Sequence, residues 1–343
     1  MSSNFGQIQG VLMVEQRKST ALNVRQPLIS VLMPVFNTGR YLDDAIKSIQ
    51  RQTCADFELV VIDDGSTDSS PALLIALAAT EPRMSVVLRE NRGLIATRNE
   101  LLRLARSNLV AWMDSDDLSF PERLQLQIDA FLADPSLVCL GGAAQRIDPE
   151  GHPLDVEHHP TQHDDIVAAQ LMGGAMRFPT TMMRRDVALR VGGFREPFRI
   201  GEDLDLFLRM SEVGKMANLP TTIYCYRQHS SSTFSILSSQ WLNYRRAIVA
   251  LANERRELGT DRLQRGELVS IDLSSQFNTK SLIAGAYNEW ARQALQDGRV
   301  DHAWKYVRAA LRAKPISPRM WKLSVTCYFR LWQNKRRGPT PLA

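Results

Sequence analysis

Three aspartates, Asp114, Asp116 and Asp117, stand close together in the run MDSDD. Carboxylates at this spacing repel one another unless a cation neutralises them, and hard divalent cations prefer oxygen ligands. Magnesium and manganese commonly take one or two protein carboxylates and complete their coordination with water and phosphate oxygens. The run therefore predicts a divalent metal with a phosphorylated ligand. The alternative is a helix cap, in which Asp117 or Ser119 accepts hydrogen bonds from a helix that begins near Pro121.

A second acidic pair, Asp63 and Asp64, opens the run DDGSTD. One of the two carboxylates could accept a hydrogen bond from a nucleobase imide or from a ribose hydroxyl. Taken alone, the run is also typical of a turn before a helix. Neither GxxxxGK[ST] nor GxGxxG follows a predicted strand, which argues against P-loop NTPases and dinucleotide oxidoreductases. The residues favour a nucleotide that is held by a metal and by carboxylates.

The elements that must position these residues alternate along the chain. Strands are predicted at 29–35, 57–62, 84–88 and 109–113, and helices at 41–52, 70–79, 95–106 and 121–133, the last with proline in its first turn. This alternation predicts an α/β fold with a mostly parallel, Rossmann-like sheet flanked by helices. Ligands bind at the carboxyl ends of the strands in such sheets, and a polar run follows each of the four strands.

Beyond residue 137 the pattern is less regular. Strands are predicted at 137–144 and 222–226, helices near 164–172 and 203–213, and a helical region after residue 240. Within that region Gly298, Ala303, Val307, Ala310 and Pro315 have the spacing of one tetratricopeptide-type hairpin. The predicted organisation is an N-terminal extension (1–26), an α/β domain (27–238), and a helical C-terminal region (239–343).

Charge is distributed unevenly along the chain. Residues up to 240 contain 23 Lys and Arg against 29 Asp and Glu, and the remainder contains 19 against 8, so the net charges are −6 and +11. Basic segments are attracted to anionic lipid, and the segment 320–337 combines aromatic with basic residues as interfacial helices do. An amphipathic helix packed on the rest of the protein is the alternative. Nucleic acid is not an expected partner, because no nucleic-acid-binding fold is recognisable.

The expected location is cytoplasmic. The first twenty residues lack the basic and apolar regions of a secretory signal, and no run approaches the roughly 18 apolar residues of a membrane span. Contact of the basic C-terminal region with the inner face of the membrane is a further hypothesis from its charge.

Six runs now become recognisable together: ISVLMPVFN, VVIDDGSTD, NRGLIATRN, MDSDD, GGF and GEDLDLFLR. Their order and spacing resemble family 2 glycosyltransferases of the A-type nucleotide-sugar fold, over about residues 27–233. The resemblance implies an inverting enzyme that uses Mn or Mg and a nucleotide-diphosphate sugar. It would transfer one sugar to a hydroxyl of a surface glycan, a lipid-linked sugar or a protein. The QxxRW run of processive members is absent, which favours a single transfer.

The resemblance also implies roles for individual residues. Donor-binding residues would be Pro34, Phe36, Asn37, Asp63 or Asp64, Arg98 and Asp114, and metal ligands would be Asp116 and His229. Pro34, Phe36 and Asn37 would frame the nucleobase, and Asp114 would approach the ribose. Arg98 has an alternative, since a helical arginine often pairs with a neighbouring carboxylate. The alternative for His229 is an ordinary surface histidine.

An inverting transfer needs a general base for the acceptor hydroxyl, and the resemblance assigns this role to Asp203 in the run GED. The alternative for Asp203 is capping of the helix that follows. Arg195 and Glu196 follow GGF where many members carry an acidic residue directly after Phe, so the donor sugar is not specified.

Two other functions fit parts of the pattern. A sugar-phosphate nucleotidyltransferase also uses a metal-dependent nucleotide site, but its glycine-rich, lysine-bearing loop after the first strand is absent. A non-catalytic nucleotide-binding scaffold with a helical partner-binding tail would have no need of a general base.

Overall fold

The computed structural model describes residues 5–8, 11–14, 26–172, 174–229, 240–272, 280–315 and 318–337. Contacts divide the chain into two compact units. The first unit comprises Met1–Ser232 and Trp241–Ile271, and the second comprises Thr233–Gln240 and Asp272–Ala343. Residues 241–271 thus group with the α/β unit, while the domain boundary predicted after residue 238 stays a prediction.

The first unit is built on one eleven-stranded sheet. Its strands are β1 (Phe5–Ile8), β2 (Val11–Val14), β3 (Ile29–Val35), β4 (Phe57–Asp64), β5 (Met84–Arg89), β6 (Leu109–Trp112), β7 (Leu118–Ser119), β8 (Leu137–Ile147), β9 (Pro153–Glu157), β10 (Met182–Arg184) and β11 (Lys215–Arg227). The strand order is β1-β2-β5-β4-β3-β6-β10-β8-β11-β7, and β9 pairs with β8.

The centre of the sheet is parallel, with β5, β4, β3 and β6 side by side. Antiparallel pairs extend it at both sides, β2 beside β5 and β10 beside β6, and β8 and β11 form a further parallel pair. The α/β prediction is confirmed, and the sheet as a whole is mixed. The polar runs after β3, β4 and β6 meet at one edge because these three strands run in the same direction.

The central strands are apolar because both of their faces are covered. Leu59 and Val61 of β4 pack into one core layer, and Val60 and Ile62 pack into the other. Side chains of a strand alternate between faces, so a strand between two helical layers needs an unbroken apolar run.

The helices of the first unit cover this sheet. They are α1 (Gly39–Gln50), α2 (Ser70–Ala78), α3 (Leu94–Leu104), α4 (Arg123–Ala133), α5 (His163–Met172), α6 (Arg185–Arg190), α7 (Glu202–Ser211) and α8 (Trp241–Leu258). Helix α4 begins two residues after Pro121, so the prediction of a proline in its first turn was wrong. Strands β8 and β11 are both longer than predicted.

The second unit consists of helices in its described residues: α9 (Lys280–Gln296), α10 (Val300–Ala313) and α11 (Pro318–Arg337). Tyr287 and Trp290 of α9 contact Tyr306 of α10, with ring centroids 6.4 and 5.6 Å apart. Gly298 has φ +73° in the turn between these helices, a left-handed conformation that glycine adopts without strain. The tetratricopeptide assignment stays a prediction. None of the described helices has the length and apolar character that a membrane span requires.

Candidate active site

The acidic cluster lies directly after β6. Ligand oxygens of Asp114, Asp116 and Asp117 all lie within 4.8 Å of one another. The end of β11 fixes this turn: the Asp114 N–H donates to Tyr224 Oη at 3.1 Å, and the Arg227 N–H donates to Asp117 Oδ1 at 2.6 Å. Helix α4 has no side-chain cap, so the alternative interpretation, in which Asp117 or Ser119 caps this helix, is not observed.

The two predicted metal ligands lie together. His229 Nε2 is 2.8 Å from Asp116 Oδ2, and the imidazole packs against the Tyr41 ring with centroids 5.3 Å apart. Asp116 and His229 are separated by 113 residues in the chain. The long strand β11 brings them together because it ends beside the acidic turn.

The electrostatics of the cluster fit a divalent cation. The pKa of Asp114 is raised to about 6, chiefly by burial; the charge of Arg98 opposes the shift, and the charges of Asp116 and Asp203 add to it. Burial also raises the pKa of Asp117 well above its ordinary value. The buried Oδ2 of Asp117 has no hydrogen-bond partner in the described part of the chain. Carboxylates in this state are stabilised when a cation neutralises them.

The buried side chain of Arg123 lies next to the acidic cluster, and it was not among the predicted site residues. Arg123 is fully buried, donates from Nη2 to the Trp112 carbonyl at 2.8 Å, and lies 5.0 Å from the centroid of the Tyr224 ring. Burial lowers the Arg123 pKa to about 10, while Tyr224, Asp114 and Asp117 oppose that shift. The signal in the sequence that could have identified it is a charged residue among the buried positions of α4, next to Leu124.

The loops after β3 and β4 are joined by Asn37. This residue has φ +54°, donates from its N–H to Ser66 Oγ at 2.8 Å, and accepts from the Thr67 N–H at 2.8 Å. Pro34 is half-buried in β3, and the Phe36 side chain is 51% exposed at the edge of the sheet. These hydrogen bonds therefore join the loop after β3, which carries the predicted donor residues, to the loop after β4.

The adjacent carboxylates Asp63 and Asp64 have different surroundings. Both oxygens of Asp64 accept backbone N–H groups, from Arg92 at 3.0 Å and from Gly93 at 2.8 Å. Asp63 Oδ1 accepts from the Ser66 N–H at 2.8 Å, but its buried Oδ2 has no partner among the described residues. Asp63 therefore retains an oxygen for a ligand, whereas Asp64 organises the turn before α3.

Arg98 pairs with a carboxylate, as its alternative proposed, and the partner is Glu202 of the GED run. The Arg98 guanidinium also lies 4.1 Å from the centroid of the Phe178 ring. Burial raises the pKa of Glu202 to about 7, with Asp203 adding to the shift and Arg98 opposing it. Arg98 therefore links the helix α3 to the residue next to the predicted base.

The predicted base Asp203 is half-buried at the start of α7. Its Oδ1 accepts the Leu204 N–H at 2.8 Å, and Gly201 precedes the helix in a left-handed conformation with φ +80°. A Cβ atom on Gly201 would lie 2.8 Å from the Trp241 ring and 3.0 Å from Ile248 of α8. Glycine is thus required where α8 packs behind the residues of the GED run.

A buried ion-pair network holds α7 from its other side. Arg195 binds Asp205 at 3.0 Å and Asp261 at 2.8 Å, and Arg209 binds Asp205 at 2.7 Å. Arg255 of α8 also pairs with Asp261, and both carboxylates are fully buried. Arg195, which departs from the pattern of many family members, therefore has a structural partner set. Asp261 was not predicted as a partner of Arg195, because the two residues are 66 positions apart in the sequence.

Residues 30–192 match the model of glycosyl transferase family 2. This segment is a family 2 glycosyltransferase domain. The chain is 28% identical over 220 residues to chondroitin synthase of Escherichia coli, covering 64% of this chain and 32% of the relative. It is 27% identical over 210 residues to hyaluronan synthase of Pasteurella multocida, covering 61% and 21%. The chain thus spans about a third or less of the length of these curated relatives.

The fold of the glycosyltransferase domain agrees with a solved structure. The mannosyltransferase PcManGT from Pyrobaculum calidifontis, determined with GDP-Man and Mn²⁺, matches with TM-score 0.51 at 18% identity, over 92% of this chain and 83% of that one. The predicted family and A-type fold are confirmed. The acidic cluster lies inside the matched family segment, whereas Asp203, His229 and Asp261 lie beyond it.

Proposed function

We propose that the protein transfers a single sugar, with inversion, from a nucleotide-diphosphate sugar to a hydroxyl acceptor. The observation that supports the proposal is that the proposed metal ligands and the proposed base all lie near the acidic turn after β6. Asp116 and His229 are in contact, and Asp203 is close enough to Asp114 to raise the pKa of that carboxyl. Asp116 and His229 would hold the metal, and the Asp203 carboxylate would lie near enough to accept the proton of the acceptor.

The donor side is supported by the polar groups that remain available. The free Oδ2 of Asp63 suits an imide N–H of a nucleobase, and the exposed Phe36 ring offers a surface for stacking. Asp116 and His229 would hold Mn or Mg, with Asp114 toward the ribose. When bound, the cation supplies Lewis-acid neutralisation of the charge on the departing nucleoside diphosphate.

The acceptor side is supported by the placement of Asp203. Its carboxylate would take the proton of the acceptor hydroxyl while that oxygen bonds to the anomeric carbon and the bond to the diphosphate breaks. Arg98 pairs with Glu202, the carboxylate next to Asp203, and so reduces the negative charge beside the proposed base.

The acceptor class and the location are part of the same proposal. The names of the two synthases favour a glycan acceptor over a protein. A cytoplasmic enzyme that touches the inner face of a membrane would meet a lipid-linked glycan, and the net charge of +11 after residue 240 supports that contact.

The test is a screen of nucleotide sugars with Mn²⁺ for release of nucleoside diphosphate. Wild-type protein is compared with Asp203→Asn, Asp116→Ala and the exposed-site control Asp186→Asn, each checked for folding by thermal melting. We expect slow hydrolysis of one donor that both site variants lose and the control keeps. Release of pyrophosphate from a nucleoside triphosphate and a sugar phosphate would instead establish a nucleotidyltransferase. If no donor is cleaved, calorimetry with UDP and GDP plus Mn²⁺ separates two outcomes: binding would mean that the acceptor is missing, and no binding would contradict the transferase proposal.

A further inference from the structure

Helix α11 presents a row of large apolar side chains outward. Its members are Trp321, Val325, Tyr328, Phe329 and Trp332, which are between 42 and 67% exposed. Their positions follow the spacing i, i+4, i+7, i+8 and i+11, so they share one face of the helix. Ser324 and Cys327, on another face, are buried. We call the exposed row the aromatic stripe.

The aromatic stripe differs from an ordinary solvated helix face. Soluble proteins expose single apolar residues freely, but contiguous apolar patches mark interaction surfaces. Phe329 and Trp332 stack on each other, with centroids 5.9 Å apart and planes inclined by 26°, which makes the patch continuous. The exposed surface of the stripe is therefore a candidate interaction surface.

The charge of the helix specifies the partner. Six cations and no acidic residue occur within Pro318–Arg337: Arg319, Lys322, Arg330, Lys335, Arg336 and Arg337. A helix that packs on an apolar protein surface would carry neutral residues or charges of both signs around its apolar face. The uniformly basic charge of α11 instead complements anionic phosphate groups. Indole and phenol rings between an apolar and a charged layer are typical of the boundary between lipid headgroups and acyl chains.

We propose that α11 lies in the plane of an anionic phospholipid surface, with the aromatic stripe in the headgroup boundary and basic residues such as the exposed Lys322 on the phosphates. The inference deepens the membrane contact of the proposed function and rests on it for its biological role. Lipid binding itself requires no turnover, so the two claims fail independently. A positive flotation result with no donor hydrolysis would remove the enzyme proposal and leave this one standing.

The experiment is flotation of the full-length protein with vesicles of phosphatidylcholine alone or with one third phosphatidylglycerol. The test variant combines Trp321→Ser, Phe329→Ser and Trp332→Ser, and the matched control combines Leu132→Ser and Met172→Ser, which are also exposed apolar residues. We expect binding only to the anionic vesicles, an affinity loss of about tenfold or more in the triple variant, and no change in the control. Lys322→Gln is expected to weaken binding about fivefold.

Three outcomes would overturn the proposal. One is absence of flotation with anionic vesicles, and another is equal flotation of the triple variant when its thermal melting matches the wild type. The third is a dimer in lipid-free solution that the triple variant abolishes, because a second copy of the chain would then cover the stripe. Blue-shifted tryptophan emission on anionic vesicles, lost in the triple variant, would give independent support.

Discussion

Two groups of carboxylates in the first unit differ in what surrounds them. In the acidic cluster after β6, the buried Oδ2 of Asp117 has no partner within the described residues, and burial raises the pKa of Asp114. On α7 and after α8, Asp205 and Asp261 each contact two arginines. Buried acids that are paired hold elements together, whereas acids left unpaired retain the capacity to bind a cation. The difference predicts that the acidic cluster after β6 binds a cation and that Asp205 and Asp261 stabilise the packing of α7 and α8.

The same contrast occurs between neighbours in one strand. Asp64 has both oxygens bonded to backbone N–H groups and an ion pair with Arg89 at 2.8 Å, while Asp63 keeps one buried oxygen free. Residue type and burial are equal, so hydrogen-bond satisfaction is what separates the ligand-facing acid from the structural one.

The largest effect is expected at the base. Asp203→Asn should lower kcat by about 10² to 10⁴, because general base catalysis contributes that much, with little change in the donor KM. Steady-state kinetics with the donor identified by the screen would measure both parameters. Asp186→Asn is the matched control. A rise in KM at constant kcat would instead place Asp203 in donor binding.

The second prediction tests the paired group. Asp205→Ala should lower the free energy of unfolding by about 3 to 5 kcal/mol, since it leaves Arg195 and Arg209 buried with less neutralisation. Urea denaturation provides the measurement. Exposed Asp155, which also pairs with an arginine, serves as the control, and Asp155→Ala should cost about 1 kcal/mol or less. Equal losses of unfolding free energy in Asp205→Ala and Asp155→Ala would mean that the buried network stabilises the protein no more than an exposed ion pair does.

The third prediction tests the acidic cluster after β6 by adding its expected ligand. Mn²⁺ at about 100 times its dissociation constant should stabilise the protein by about 2.7 kcal/mol, because the native state alone holds the site. Calorimetric melting with and without Mn²⁺, followed by chelation, measures the shift. Asp116→Ala should abolish the shift, and Asp205→Asn should keep it although the protein is less stable. A shift that survives Asp116→Ala would locate the cation elsewhere.

A smaller effect should separate Asp63 from Asp64. Asp63→Asn should weaken nucleoside diphosphate binding by roughly tenfold or more, since a hydrogen bond to a charged group contributes about 1.5 to 3 kcal/mol. Asp64→Asn should chiefly lower the melting temperature, because it disturbs the Arg92–Gly93 turn. Titration calorimetry and thermal melting on both variants measure the two effects. The reverse assignment would show that Asp64 is the ligand-facing residue.

The last expected effect is a pH dependence of stability that arises from Glu202. Its pKa is raised to about 7, chiefly by burial, against an ordinary value of 4.5. The folded protein therefore binds this proton more tightly than the unfolded chain, so stability is lost as pH rises from about 4.5 through 7. The free energy of unfolding should fall less between pH 5 and pH 8 in Glu202→Gln than in the wild type. An unchanged slope in the variant would mean that Arg98 fully neutralises the carboxylate.

Local patterns were enough to predict the central elements. Helix α1 and the four central strands were predicted from periodicity alone, and the buried face of α1 carries Leu42, Ala45, Ile46 and Ile49. The strand-end rule also located the edge where Asp63 and Asp114 lie, because it depends only on strand direction.

Long-range pairing was not predictable in the same way. Arg195 and Asp261 are 66 residues apart, and no local spacing signals that they pair. The choice between Asp63 and Asp64 depends on backbone N–H groups of a distant turn, and the length of β11 depends on its pairing with β8 across register shifts. These features are set by tertiary contacts, which a pattern in one segment does not contain.

The bond between the Arg227 N–H and Asp117 joins groups that are 110 residues apart in the chain. During synthesis at about 5 to 20 residues per second, roughly 5 to 20 s pass between the emergence of the acidic turn and that of the strand end that fixes it. Contacts of such high sequence separation also form late in folding. The nascent chain therefore exposes its acidic turn without a binding site, and affinity for a metal and nucleotide should appear only after β11 has joined the sheet.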